Sequence, residues 1–189
     1  MIVYHGSCAE VRVPDLSKSR EDIDFGRGFY LTEDETMAKK WACNKRHSVL
    51  NCYSLEMEGL QVKKLKANDE WFDYCIYHRL EKQTQKPFDD SLFDIIIGPT
   101  ANDKLFLILD MYMDGLVSKE HAIHIVNCMN YSDQIVLRTG HAVLHALRFE
   151  SATELYGQEK EHLRALFKED SVTASRRAQE ILRELNGRK

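Results

Sequence analysis

Apolar residues along the chain change their spacing several times, and each change marks an element. The opening Ile2-Val3-Tyr4-His5-Gly6 predicts a short strand running into a turn. Residues Pro14 to Gly26 are polar and irregular and predict a loop. Gly28-Phe29-Tyr30-Leu31 predicts a second short strand. The next four residues, Thr32-Glu33-Asp34-Glu35, have the spacing of a capping box with Thr32 as N-cap. Met37, Ala38, Trp41 and Ala42 then recur at helical spacing and share one face of a helix.

Further strands are expected at Val49–Leu55 and Leu60–Leu65, and a helix over Asp69–Lys82. Phe93-Asp94-Ile95-Ile96-Ile97, closed by Gly98-Pro99, has the continuous apolar character of a strand covered on both faces. Helices follow over about 102–113 and 118–129, the first with Thr100 or Asn102 as a plausible N-cap. A strand is expected at 134–137 and a helix from His141 to Phe149. Beyond residue 150 the character shifts, with no aromatic after Phe167 and charges of both signs interleaved. The pattern therefore predicts one α+β domain over 1–150, followed by a charged helical tail over 151–189 packed on or extending from it.

Composition narrows the function. The chain is 43% hydrophobic, enough to bury a core, so disorder is excluded. A net charge of −4 and a pI near 6.1 argue against a general nucleic-acid or anionic-membrane binder. The longest apolar run, Leu105 to Leu109, falls far short of the roughly 20 residues of a membrane span. No basic segment with a long apolar stretch opens the chain, so no signal peptide is expected. Five scattered cysteines without a CxxC pair fit reduced thiols in a cytoplasmic protein.

Generic motifs are mostly absent. There is no GxxxxGK[ST] phosphate loop and no GxSxG elbow. Gly26-Arg27-Gly28 precedes a strand rather than a helix, which excludes the dinucleotide fingerprint. His121/His124 and His141/His145 have ligand-like spacing but no acidic or cysteine partner nearby, so no metal is expected. Two segments remain. His5-Gly6-Ser7 ends a strand, and Asp24-Phe25-Gly26-Arg27-Gly28-Phe29-Tyr30-Leu31-Thr32 puts two glycines ahead of an aromatic strand. Those glycines allow either a bulge or close approach of a ligand to the main chain.

Together these segments resemble the ADP-ribosyltransferase superfamily on its diphtheria-toxin and poly(ADP-ribose) polymerase side. More narrowly, YHGS, DFGRGFYLT, the A-x-x-W-A of the following helix and FDIIIGPTANDK look like an uncharacterised bacterial domain family of that superfamily. The resemblance covers about residues 1–150. It implies a split β-sheet core with flanking helices, and NAD as a substrate with no metal.

The roles carried over follow the chemistry. Cleaving the nicotinamide–ribose bond passes through an oxocarbenium-like sugar, as in glycoside hydrolysis. The resemblance puts His5 on the adenosine ribose, the main chain of Gly6 on the carboxamide with Ser7 assisting, and Tyr30 stacked on the nicotinamide. Trp41 would be a second stacking aromatic, with a core tryptophan as the plain alternative. Arg20 would meet the pyrophosphate, and Arg27 stands where a basic residue is frequent; solvent exposure is the alternative for both.

The late strand departs from the pattern. A carboxylate is expected there, and Gln134 takes its place, with Asp133 adjacent. Because strand side chains alternate faces, only one of the two can point into the site; Gln134 is preferred. An amide brings no negative charge to the oxocarbenium, so Gln134→Glu is expected to raise turnover. The expected activity is mono-ADP-ribosyl transfer to an intracellular macromolecule, a protein sooner than a nucleic acid, by a toxin-type module with a small antitoxin partner. The alternatives are an NAD glycohydrolase and an inactive NAD-binding module.

Overall fold

The computed structural model describes residues 1–80, 84–100, 103–129 and 132–186. The described residues form seven strands and six α-helices: β1 (Ile2–Ser7), β2 (Phe29–Leu31), α1 (Glu35–Cys43), β3 (Val49–Leu55), β4 (Val62–Lys64), α2 (Asp69–Arg79), β5 (Ile95–Pro99), α3 (Asp103–Met113), α4 (Lys119–Met129), β6 (Asp133–Leu137), α5 (Gly140–Ala146), β7 (Leu147–Glu154) and α6 (Gly157–Asn186). They build a mixed α+β architecture with two sheets, ordered β1-β3-β7 and β2-β6-β5-β4. All pairings are antiparallel except β4 with β5. A single bridge, Tyr4 with Thr32, joins β1 to β2 across the two sheets.

Alternation along the strands sorts the core into two layers. Phe29 and Leu31 of β2, Ile95 and Ile97 of β5, and Ile135 and Leu137 of β6 face the first sheet, where Val3, Tyr53 and Leu55 meet them. The intervening Tyr30, Ile96 and Val136 face the helices, among Trp71, Phe72 and Ile125. Being covered on both faces explains why the Ile95-Ile96-Ile97 run shows no polar alternation. α6 packs on α1 through Leu163 and Phe167 against Ala42 and Cys43, and on the α3–α4 side through Ala178 and Ile181.

Several boundaries differ from the sequence pattern. Asp34, not Thr32, caps α1, accepting a 3.0 Å bond from Met37 N. Thr32 has its backbone committed to the bridge with Tyr4, so the helix starts two residues later. Thr100 does not cap α3; its hydroxyl donates to Ser132 O at 2.8 Å. Asn102 and the end of the expected 69–82 helix lie outside the described residues. The helix expected through Phe149 stops at Ala146, and the chain turns at once into β7, which pairs along β3. β7 therefore runs through residue 150, and the composition break falls inside a strand of the first sheet. The charged tail expected over 151–189 thus begins as the end of β7, and from Gly157 to Asn186 it is one long helix. The five cysteines are unpaired, with Cys43 and Cys75 buried and Cys8 and Cys128 exposed. No described helix is long and apolar enough to cross a membrane.

Candidate functional site

The site forms where the two sheets part beyond the Tyr4–Thr32 bridge. His5 of β1 faces the second sheet, its ring 4.3 Å from that of Phe29 of β2. Its Nδ1 stands 2.8 Å from Tyr30 O. A carbonyl only accepts, so Nδ1 carries the proton and donates, leaving Nε2 as an acceptor. Burial lowers the His5 pKa, which the bond to Tyr30 only partly offsets, and the ring is neutral near pH 7.

Tyr30 projects to the opposite face of β2. Its hydroxyl donates to Gly26 O at 2.7 Å and accepts from Phe25 N at 3.0 Å, which ties the phenol to the glycine loop. Burial, reinforced by the Asp24 carboxylate, holds its pKa far above the ordinary tyrosine value. Gly26 has φ +68°, and a side chain there would collide with the His78 ring. That loop conformation needs glycine for both reasons.

Two compartments adjoin at this point. The outer one, about 580 Å³, is lined by His5, Phe29, Gly28 and the 9–19 loop. The inner one, about 360 Å³, is lined among others by Gln134, Asp24, Arg79, Thr100, Trp41 and Phe167. Arg20, Ile23 and Tyr30 border both. Arg20 is held against Asp22 by two 3.1 Å bonds.

Gln134 is 2% exposed and turned inward, whereas Asp133 next to it is exposed. Gln134 Nε2 donates to Asp24 Oδ2 at 3.1 Å, with Pro99 O at 3.5 Å. Asp24 is itself buried and paired with Arg79 of α2, whose Nε lies 3.0 Å from Asp24 Oδ1. Sequence reasoning treated Asp24 only as the start of the glycine motif. Nothing in local spacing links it to Arg79 or Gln134, which lie far along the chain on α2 and β6.

The remaining candidates are placed less uniformly. A methyl at Gly6 would strike the Ala38 carbonyl oxygen and Ala42 nitrogen of α1, so close packing of α1 on β1 requires a glycine here. Tyr4 exchanges both backbone bonds with Thr32. Residues two apart on a strand present N–H and C=O to the same edge, so those of Gly6 point toward the opening between the sheets. Ser7 does not line either compartment; its hydroxyl is held by Ala9 O and Asn51 Nδ2. Arg27 lies elsewhere as well. It pairs with Glu21 and lines a separate hollow of about 280 Å³ beside His78, Lys86, Asp90 and Arg138. Trp41 is half-buried and faces the inner compartment, joined by Phe167 of α6, a residue the motifs gave no reason to select. Among the described residues, no group of three or more His, Cys, Asp or Glu is arranged to hold a metal ion.

Fold and site together define an α+β domain with a two-compartment cleft opening between its sheets. The chain belongs to the family described as protein of unknown function (DUF3990), whose model matches residues 1–149. Neither the curated proteins nor the solved structures contain a match to it.

Proposed function

We propose that this chain binds NAD across the two compartments and transfers ADP-ribose from it to a macromolecular acceptor, as a mono-ADP-ribosyltransferase. The observation that supports this most is the shared wall of Tyr30, Ile23 and Arg20 between two ring-sized spaces. A dinucleotide has the matching form of two ring systems joined by a pyrophosphate, and an arginine is the side chain suited to that junction. Neutral His5 offers Nε2 to a sugar hydroxyl in the outer compartment. Tyr30 offers its ring face to the pyridine, and Gly6 offers a main-chain donor and acceptor for the carboxamide. In the reaction the C1′–N bond of the nicotinamide ribose breaks, nicotinamide leaves with the electron pair, and the acceptor attacks the cationic sugar.

A second reading is favoured by one observation, the amide at Gln134. With no carboxylate there to offset the cationic sugar, NAD is bound without turnover; the same cleft with water as acceptor is an NAD glycohydrolase. Incubation with labelled NAD and a cell lysate separates the three. Label on a macromolecule is the expected result; free ADP-ribose means hydrolysis, and binding alone means a sensor. His5→Ala and Tyr30→Ala are each expected to lower turnover at least 10-fold, and unchanged activity in both would remove the cleft from the chemistry.

A further inference from the structure

Gln134 sits where a hydrogen-bonding carboxylate is expected, and its neighbours decide what it can do instead. An ionised carboxylate only accepts hydrogen bonds, so the nitrogen of the Gln134 amide must face Asp24. Pro99 O lies on the same side of that nitrogen. The orientation is thereby fixed by chemistry. It leaves Gln134 Oε1 with no partner among the described residues, on a side chain that is 98% buried and lines the inner compartment. Asp24 is held in turn by Arg79 from α2, so the contacts run unbroken from that helix to the cleft.

We propose that Asp24 is a positioning residue that locks the Gln134 amide with its carbonyl oxygen facing the cleft, making the site an acceptor for a ribose hydroxyl without a formal charge at position 134. The assignment of that hydroxyl to NAD rests on the function proposed above; the orientation of the amide does not. An amide polarised by a buried carboxylate is a stronger acceptor than one in water. A site built this way rejects a ligand that lacks the hydroxyl, because Oε1 would then be buried and unpaired. The same geometry reverses the expectation for Gln134→Glu. That substitution would set a second carboxylate against Asp24 in a buried place, where two like charges cannot both be accommodated.

Two measurements test this. The first needs no ligand: in wild type the Gln134 side-chain amide protons are expected to be protected from solvent exchange by NMR, and Asp24→Ala, which leaves no acceptor at that position, is expected to lower the protection at least 10-fold. Freely exchanging Gln134 protons in wild type would overturn the proposal. The second is the dissociation constant for NAD and for its analogue without the 2′-hydroxyl on the nicotinamide ribose. Wild type is expected to bind the analogue at least 10-fold more weakly. Gln134→Glu is expected to lose at least 10-fold in NAD affinity at pH 7.5 and to recover part of it at pH 5.5, where the carboxylate pair takes up a proton. The double exchange Asp24→Asn/Gln134→Glu restores one amide and one carboxylate in contact and is expected to return within about 3-fold of wild type. Undiminished affinity in Gln134→Glu at pH 7.5 would count against the proposal. Protected amide protons with no NAD binding by wild type would sustain the positioning role and remove NAD.

Discussion

Gly6 illustrates how one residue can satisfy a fold and a site at once. Its missing side chain is explained by α1, since the Ala38 carbonyl oxygen occupies the place a methyl would take. Its main chain, by strand alternation, faces the opening between the sheets. These two roles separate experimentally. Gly6→Ala forces backbone against backbone, with no flexible side chain to yield, so it belongs at the upper end of the overpacking range, about 3 kcal/mol. For a chain of 189 residues that corresponds to a melting temperature lower by about 6–12 °C. Thermal unfolding checks this directly, and a loss under about 2 °C would mean that α1 can slide away from β1. At the same scale, the Asp24–Arg79 pair is a structural commitment. Breaking a buried pair from one side typically costs about 3–5 kcal/mol, so exchanging Asp24 alone is expected to lower stability as well as to release the Gln134 amide.

At the scale of elements, α6 changes what the site is made of. The family match ends before it begins, yet Phe167 lines the inner compartment together with Trp41. The helix is clamped there by charge. Lys160 donates to Lys45 O and Arg46 O, Arg164 donates to Cys43 O, and Lys40 pairs with Asp170 at 2.7 Å. Cations at Cys43 and just beyond it also suit the negative end of α1. α6 is therefore a wall of the cleft. Phe167→Ala is expected to weaken NAD binding by roughly 2- to 12-fold, the range for losing one aromatic contact of about 0.5–1.5 kcal/mol. The readout is NAD titration by tryptophan fluorescence, Trp41 lining the compartment while Trp71 is fully buried; equal affinity in the variant would exclude Phe167 from the site. The strands bearing His5, Tyr30 and Gln134 could be read from the sequence because their apolar residues alternate in step with two buried faces. β7 could not be read as easily. Leu147-Arg148-Phe149-Glu150 has strand alternation, but the helical spacing of His141–His145 runs straight into it with no glycine or proline between. Asp24–Gln134–Arg79 was out of reach for a different reason, because three distant segments meet only once the second sheet has been covered by α2.

For the molecule as a whole, burial of imidazoles sets the response to acid. The His5 pKa is lowered by desolvation, with the bond to Tyr30 opposing it. His78 is also lowered, chiefly by desolvation against the pull of Asp90. Its Nε2 stands 3.6 Å from Asp90 Oδ2, beyond a normal hydrogen bond, and neither ring nitrogen has a partner among the described residues. Around it, Arg138 and Lys86 hold Asp90 at 2.9 and 2.6 Å, and Tyr74 donates to the same carboxylate. Burial pushes the Asp90 pKa up, but His78, Lys86, Arg138 and Tyr74 outweigh it and keep the carboxyl far below the ordinary range. The two kinds of group act in separate windows. A histidine whose folded pKa lies below 6.5 takes up its proton more readily in the unfolded chain, so stability falls as pH drops below about 6.5. Asp90 adds a further loss only as pH falls below about 3.8, its unfolded value. Between pH 7.5 and 5.5 the melting temperature is therefore expected to fall by about 2–4 °C for each 1 kcal/mol of linkage. His78→Leu removes one of the two groups together with two unsatisfied ring nitrogens, whose burial costs about 1–3 kcal/mol. That variant is expected to melt no lower than wild type at pH 7.5 and clearly higher at pH 5.5. An identical acid slope in wild type and variant would leave His5 as the sole source, and no slope in either would mean that both rings are reached by water in the folded state.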